Sequence, residues 1–266
     1  MEVKKREKLH VFVIFAYLVM VLMNALANIL PINGRNTGDI SDFYGNLFAP
    51  FGLTFAIWGL IYLLLLLYSV YQIAKPEHIQ MSVSILFVFS SFANAAWILA
   101  WHYDAIGISV FIMLSILVSL ILINLFLRKQ EFNKIETFLI KVPFLVYFGW
   151  ITVATIANIT TYLVSIGWNR FEISEVIWTC AILLVGALIG FITELYFKSI
   201  SYGLVLLWAY AGIGLKHYLP EYFNMEYPLV LTTVVVSMVI ILIGIGLTIR
   251  NKMIKNKAVD KSSVQE

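Results

Sequence analysis

Charge is what this chain has least of. Asp, Glu, Lys and Arg make up 12% of its 266 residues, against about a quarter in a soluble domain. That shortage, beside 61% hydrophobic residues and a mean hydropathy of +0.91, excludes a soluble globule and makes the chain an integral membrane protein. Cysteine is nearly absent as well. Cys180 stands alone in an apolar run, which excludes an internal disulfide and a cysteine metal site. A net charge of only +3 gives no basic surface for nucleic acid, so no nucleic-acid partner is expected. Paired intramembrane carboxylates, a Ser-His-Asp set and a phosphate loop are all missing. The expectation is therefore a protein that is not an enzyme, with no catalytic residues, no metal and no required cofactor. An internal repeat of the kind transporters often carry is missing too.

What the chain does have is aromatic residues and long apolar runs. Seven Trp, 14 Tyr and 19 Phe exceed the needs of two interfacial belts and leave a surplus for another use. A helix crosses the hydrocarbon core with about 20 apolar residues. On that measure the chain has eight spans: 9–31, 52–74, 81–101, 105–127, 138–165, 175–197, 200–217 and 228–249. Breakers or charge divide them, as at Pro31-Ile32-Asn33-Gly34, Lys75-Pro76-Glu77 and Leu219-Pro220-Glu221. The span at 200–217 is the weakest, being short and holding Gly203, Gly212 and Gly214. With the N-terminus inside, only Arg35, Arg170 and Lys216 of the 18 Lys and Arg face outward. The expected fold class is thus all-α, a polytopic membrane helical bundle with both termini cytoplasmic. The basic start, the apolar run and Ala25-Leu26-Ala27 imitate a signal peptide, but the run continues through Leu30 and is expected to be an uncleaved anchor.

Residues 148–158, FGWITVATIAN, carry polar groups where lipid would favour leucine. At 100° per residue, Tyr147, Trp150, Ala154, Asn158 and Thr161 share one face, with Pro143. Thr152 and Thr155 point elsewhere and are expected to bond the carbonyl one turn back. An Asn amide has no such escape and must meet protein or a wet cavity. Phe87, Ser90, Asn94, Trp97 and Trp101 share a face of the third span. Phe51, Thr54, Trp58, Tyr62 and Gln72 share one on the second, and Asn24 and Asn28 lie a turn apart on the first. The rise of 1.5 Å per residue puts Asn24, Asn28, Asn94 and Asn158 in the outer half of the bilayer. A cavity among spans one, two, three and five is the simplest geometry. Loop 32–51, with Asn33, Arg35, Asn36, Asp39 and Asp42, is in position to lie across its mouth. The plainer reading is packing glue, since Asn and Thr also join helices in lipid.

Asn94-Ala95-Ala96-Trp97, Tyr147-x-x-Trp150 with Ala154 and Asn158, and Pro50 through Trp58 and Tyr62 resemble three motifs of the TspO/MBR family, the tryptophan-rich sensory or translocator proteins. The resemblance covers residues 9–165, a five-helix bundle. A basic cytoplasmic start (1–8) precedes it. Three additional helices (175–249) and a basic, solvated, flexible tail (250–266) follow. Two departures stand out: Gly52 and Thr54 replace bulky residues before the Trp, and Val146 replaces a Pro, with Pro143 a turn earlier. The resemblance implies a pocket for a flat hydrophobic ligand, a porphyrin or haem, formed by Trp58, Tyr62, Asn94, Trp97, Tyr147, Trp150, Ala154 and Asn158. It implies a sensor or carrier in the cell (plasma) membrane, with lipid and a hydrophobic small molecule as partners and a homodimer as a further possibility. The alternative function is a secondary transporter of a small solute. Two smaller readings remain. Glu194, with Lys198 four residues on, is expected to be a snorkelling surface pair rather than a proton or cation site. His102 and Asp104 are too few donors to define a metal site.

Overall fold

The computed structural model describes the backbone of residues 2–263 and the side chains of residues 9–254. Among the described residues every regular element is helical. The basic side chains of residues 1–8 and of 255–266 lie outside the described side chains.

Helix α1 (Glu2–Ile29) ends just before Pro31 and is followed by a 3-10 turn and the short α2 (Thr37–Phe43). The Asp39 carboxylate accepts from the Asn36 amide at 2.9 Å and fixes the start of α2. A 3-10 turn at Gly52–Ala56 runs into α3 (Ile57–Ala74), which Pro76 follows. Helices α4 (Met81–His102) and α5 (Ile106–Arg128) form a hairpin. The short α6 (Lys134–Glu136) opens the next helix. There the Asn133 side chain accepts from the Glu136 amide, and Glu136 accepts from the Asn133 amide, each at 2.9 Å. A π-helical stretch, Thr137–Lys141, then leads into α7 (Val142–Ser165). Pro143 explains the wider turn, because it has no N–H to return to the carbonyl of Leu139. Helices α8 (Glu175–Phe197), α9 (Ile200–Tyr218) and α10 (Pro228–Ser263) complete the chain.

Seven of these helical stretches, among the described residues, are long and apolar enough to cross a membrane. The eighth expected span is present as helix α9 but falls outside that set. Its 19 residues include Ser201, Lys216 and His217 besides three glycines, which lowers its apolar content. The stretch expected as a flexible tail from residue 250 starts inside α10. No Gly or Pro follows Gly246 before Ser263, so nothing ends the helix earlier.

Helices α1, α3, α4, α5 and α7 pack together, and α8, α9 and α10 form a second group joined to the first through α7 and α9. The α7–α9 crossing is close, since a Cβ at Gly149 would lie 3.0 Å from Val205 and 3.1 Å from the Tyr202 carbonyl. Outward faces carry bare apolar side chains, such as Phe111 at 75% exposure. In water these would demand cover, whereas in lipid they need none.

Candidate functional site: an aromatic cleft and a small chamber

Two spaces meet at α3. The first is a cleft of about 400 Å³ between α1 and α3. Tyr17 on α1 holds the helices together at one level, its hydroxyl donating to the Tyr62 carbonyl at 3.0 Å. Beyond that point they part, and Asn24, Ala25 and Asn28 face Phe55, Trp58, Gly59 and Tyr62 across the gap. Trp58 and Tyr62 lie one turn apart with rings stacked at 5.5 Å and 18°. Together they make an aromatic stack that walls the cleft. Gly59 has no atom within 4 Å of where a Cβ would stand, so the cleft is open beside it. Among ligand pockets, about 300–1,000 Å³ is usual.

The second space is a chamber of only about 40 Å³ behind that wall. Trp97, Trp101, Trp150, Ala154 and Asn158 line it, and Thr37, Phe55 and Trp58 line both spaces. The chamber has room for a water or two and none for a ring system. Trp150 meets Trp58 and Phe55 edge-on, at 6.1 and 5.8 Å.

The amides do not point into open space. Asn24 donates to Asn94 Oδ1 at 2.7 Å, and Asn94 donates to the Tyr147 hydroxyl at 3.1 Å. Trp97 Nε1 donates to Asn158 Oδ1 at 2.9 Å, and Asn158 Nδ2 donates to Ser109 Oγ at 2.8 Å. These bonds tie α1 to α4 to α7, and α4 to α7 to α5. Of the eight residues expected at a pocket, Trp58 and Tyr62 line the cleft. Trp58, Trp97, Trp150, Ala154 and Asn158 line the chamber. Asn94 and Tyr147 line neither and act through their hydrogen bonds; Tyr147 also packs against Trp58 at 5.9 Å. Thr152 and Thr155 bond the Phe148 and Ile151 carbonyls as expected. Phe55 and Ser109 were not foreseen. A Phe before a helix and a Ser in an apolar run carry no signal in the sequence.

Two buried donors in this region have no partner: the Tyr62 hydroxyl and Trp150 Nε1. The first belongs to a residue of the cleft wall, the second to a residue of the chamber wall. Both atoms are enclosed by protein.

Loop 32–51 closes one end. Thr37 and Ser41 of α2 line the chamber, and Trp101 Nε1 donates to the Thr37 carbonyl at 3.1 Å. His102 is fully buried, with Nδ1 donating to the Ile32 carbonyl at 3.0 Å and Nε2 3.1 Å from Thr37 Oγ1. Asp104 is occupied by Arg35 and by the Tyr44 hydroxyl. Among the described residues no group of three metal-ligating side chains occurs. Through their own bonds His102 and Asp104 hold the loop.

A match to a family model follows the same helices. The model described as TSPO-like protein matches residues 10–247. The chain belongs to the TSPO-like protein family. The match runs through α8 and α9 and into α10, beyond residue 165, where the resemblance of the motifs ends. In the two other comparisons, with curated proteins and with solved structures, nothing matches.

The departure of this TSPO-like chain at Thr54 has a cause in α9, whereas at Gly52 a Cβ would meet nothing within 4 Å and the structure gives no reason for the glycine. A Cβ at Gly212 would collide with the Thr54 side chain. The Phe51 amide donates to the Gly212 carbonyl at 3.0 Å, and Trp208 Nε1 to the Thr54 carbonyl at 2.9 Å. A bulky residue at position 54 would push α9 away. Further along, Lys216 pairs with Asp42, and His217 Nε2 lies 2.8 Å from the Leu47 carbonyl. Helix α9 thereby secures both ends of the segment between α2 and α3. Another opening, about 510 Å³ among α3, α7 and α9, is apolar but for Ser201 and offers little to orient a ligand.

Proposed function

We propose that this TSPO-like membrane protein binds a flat hydrophobic ligand of the porphyrin class and acts as a sensor or carrier, without converting it. The observation that carries the reading is the cleft between α1 and α3, with the Trp58–Tyr62 wall on one side. A planar ring system stacks on such a wall with its faces dry. Once the side chains that cover them give way, the Tyr62 hydroxyl and Trp150 Nε1 donate to the carboxylates or carbonyls of the ligand. The Asn94 and Asn158 amides are already engaged, so their part is to hold the wall in place. Haem or protoporphyrin would be cargo or signal, not a cofactor that the fold requires.

The same reading places the protein in the cell (plasma) membrane, with α9 as an eighth crossing and both termini cytoplasmic. Nineteen residues reach about 28 Å at 1.5 Å each, close to the thickness of the hydrocarbon core. The skewed Lys and Arg distribution supports this orientation. The cleft then opens in the outer half of the bilayer.

Titration of the purified full chain with protoporphyrin IX, read by tryptophan quenching against free tryptophan in the same detergent, tests the proposal. Saturable quenching in the micromolar range is expected. Trp58→Leu should weaken it about two- to tenfold, from stacking worth roughly 0.5–1.5 kcal/mol. Quenching no different from that of free tryptophan would overturn the reading.

A further inference from the structure

Glu194 is fully buried on α8, and neither of its carboxyl oxygens has a hydrogen-bond partner. It is not the snorkelling surface residue that its sequence context suggests. Lys198 instead ends α8 in the left-handed conformation, at φ 53°, exposed and away from the carboxyl.

The place Glu194 occupies is shaped for it. Gly186, Gly190 and Glu194 recur every four residues on one face of α8, a stripe of the kind that lets membrane helices approach closely. Helix α9 runs antiparallel along it. A Cβ at Gly186 would lie 2.7 Å from the Tyr210 hydroxyl, and one at Gly190 would strike Leu206. At the third position the roles reverse. The small residue is Gly203 of α9, where a Cβ would lie 2.8 Å from the Glu194 carboxyl. Gly244 of α10 does the same from the other side, with a Cβ there 2.7 Å from Oε2. Glycines on two helices clear the volume that the carboxyl fills.

Among the described side chains no cation enters this volume. From α9 the titratable neighbour is Tyr202, whose hydroxyl donates to Thr152 of α7 at 3.1 Å. Helix α10 presents Gly244 and Ile245, and its described titratable side chains, Arg250 and Lys252, are exposed. On the neighbouring turn of α8, Tyr196 faces outward under the Arg128 guanidinium. An ionised carboxylate here would be uncompensated, and its burial would cost more than close packing of the helices returns.

We infer that Glu194 is a proton-binding site. In this packing one carboxyl oxygen carries a hydrogen taken from water at the α8–α9 turn, about one helical turn (~5 Å) away. The O–H bond breaks and the proton returns to water when α8 separates from α9 and α10. The site stands apart from the cleft and does not depend on a porphyrin ligand.

Infrared spectroscopy of the full chain in phosphatidylcholine vesicles at neutral pH tests this. A carbonyl stretch of a protonated carboxylic acid is expected in the wild type. It should shift when Glu is labelled with 13C at the carboxyl carbon, and vanish in Glu194→Gln. Absence of the band, a band that ignores the label, or a band that persists in Glu194→Gln overturns the inference. Absence of a label-sensitive band in the wild type overturns the inference even where the variant fails to fold. Transfer to deuterated water tests the release step. The band should exchange slowly in the wild type and several-fold faster in Gly190→Leu, which wedges α8 from α9. Equal rates would overturn the coupling to helix separation.

Discussion

The two groups of helices hold together by different means. In the first, α1, α3, α4, α5 and α7 are joined by side-chain amides and hydroxyls that find one another across the interfaces. Asn24 reaches Asn94 and Asn94 reaches Tyr147, while Trp97 and Ser109 meet at Asn158. Large aromatic rings fill what remains. In the second, α8, α9 and α10 approach on glycines. There interhelical hydrogen bonds are few, the Tyr210 hydroxyl donating to the Leu183 carbonyl at 2.7 Å, and the Glu194 carboxyl and the hydroxyls of Ser237 and Thr248 are left without partners. In lipid both strategies work, because the driving forces are packing and interhelical hydrogen bonds rather than the expulsion of water. They fail differently. A hydrogen-bonded interface breaks when a polar atom is removed, and a glycine interface breaks when a carbon is added.

Four substitutions test that contrast, in descending order of effect. Gly190→Leu should be the most damaging, since even a Cβ there meets Leu206. Overpacking of this kind costs about 1–3 kcal/mol, and a thermal unfolding scan in detergent should show the loss. Asn158→Leu comes next. It strands the Trp97 N–H, while Ser109 keeps its bond to the Ile106 carbonyl, at a cost of roughly 1–2 kcal/mol. An unchanged melting temperature for Asn158→Leu would mean that these bonds do not hold the first group together.

Gly59→Leu should leave stability unchanged or slightly raised, because the position opens on the cleft and leucine is the better helix former. Its effect belongs to binding. A side chain filling the space beside Trp58 should weaken protoporphyrin IX about tenfold or more, near 1.4 kcal/mol. Full affinity would show that the ligand sits elsewhere. Smallest of all, Ser237→Ala removes a buried hydroxyl that bonds to nothing. Its melting temperature should stay within the shift of about 0.5 kcal/mol or rise. A clear loss would reveal a partner for Ser237 and blur the distinction between the two groups.

Much of this was legible along the chain. Apolar runs of about 20 residues marked the helices, since nothing else crosses hydrocarbon with its backbone satisfied. The spacing of Trp97 and Asn94, and of Tyr147, Trp150, Ala154 and Asn158, placed each set on one helix face, because a regular helix turns by a constant angle. Even the back-bonding of Thr152 and Thr155 followed from their position alone. What each face would meet was not legible. Spacing cannot tell whether an asparagine greets a ligand or another helix, and here the amides of Asn94 and Asn158 greet helices. Nor can it show that Thr54 is small because Gly212 lies against it, or that Glu194 is sealed by glycines 9 and 50 residues further on. The period of a helix is a local property of the backbone, written in every few residues. The partner of a side chain is chosen by packing between segments far apart in the chain, and only the folded bundle decides it.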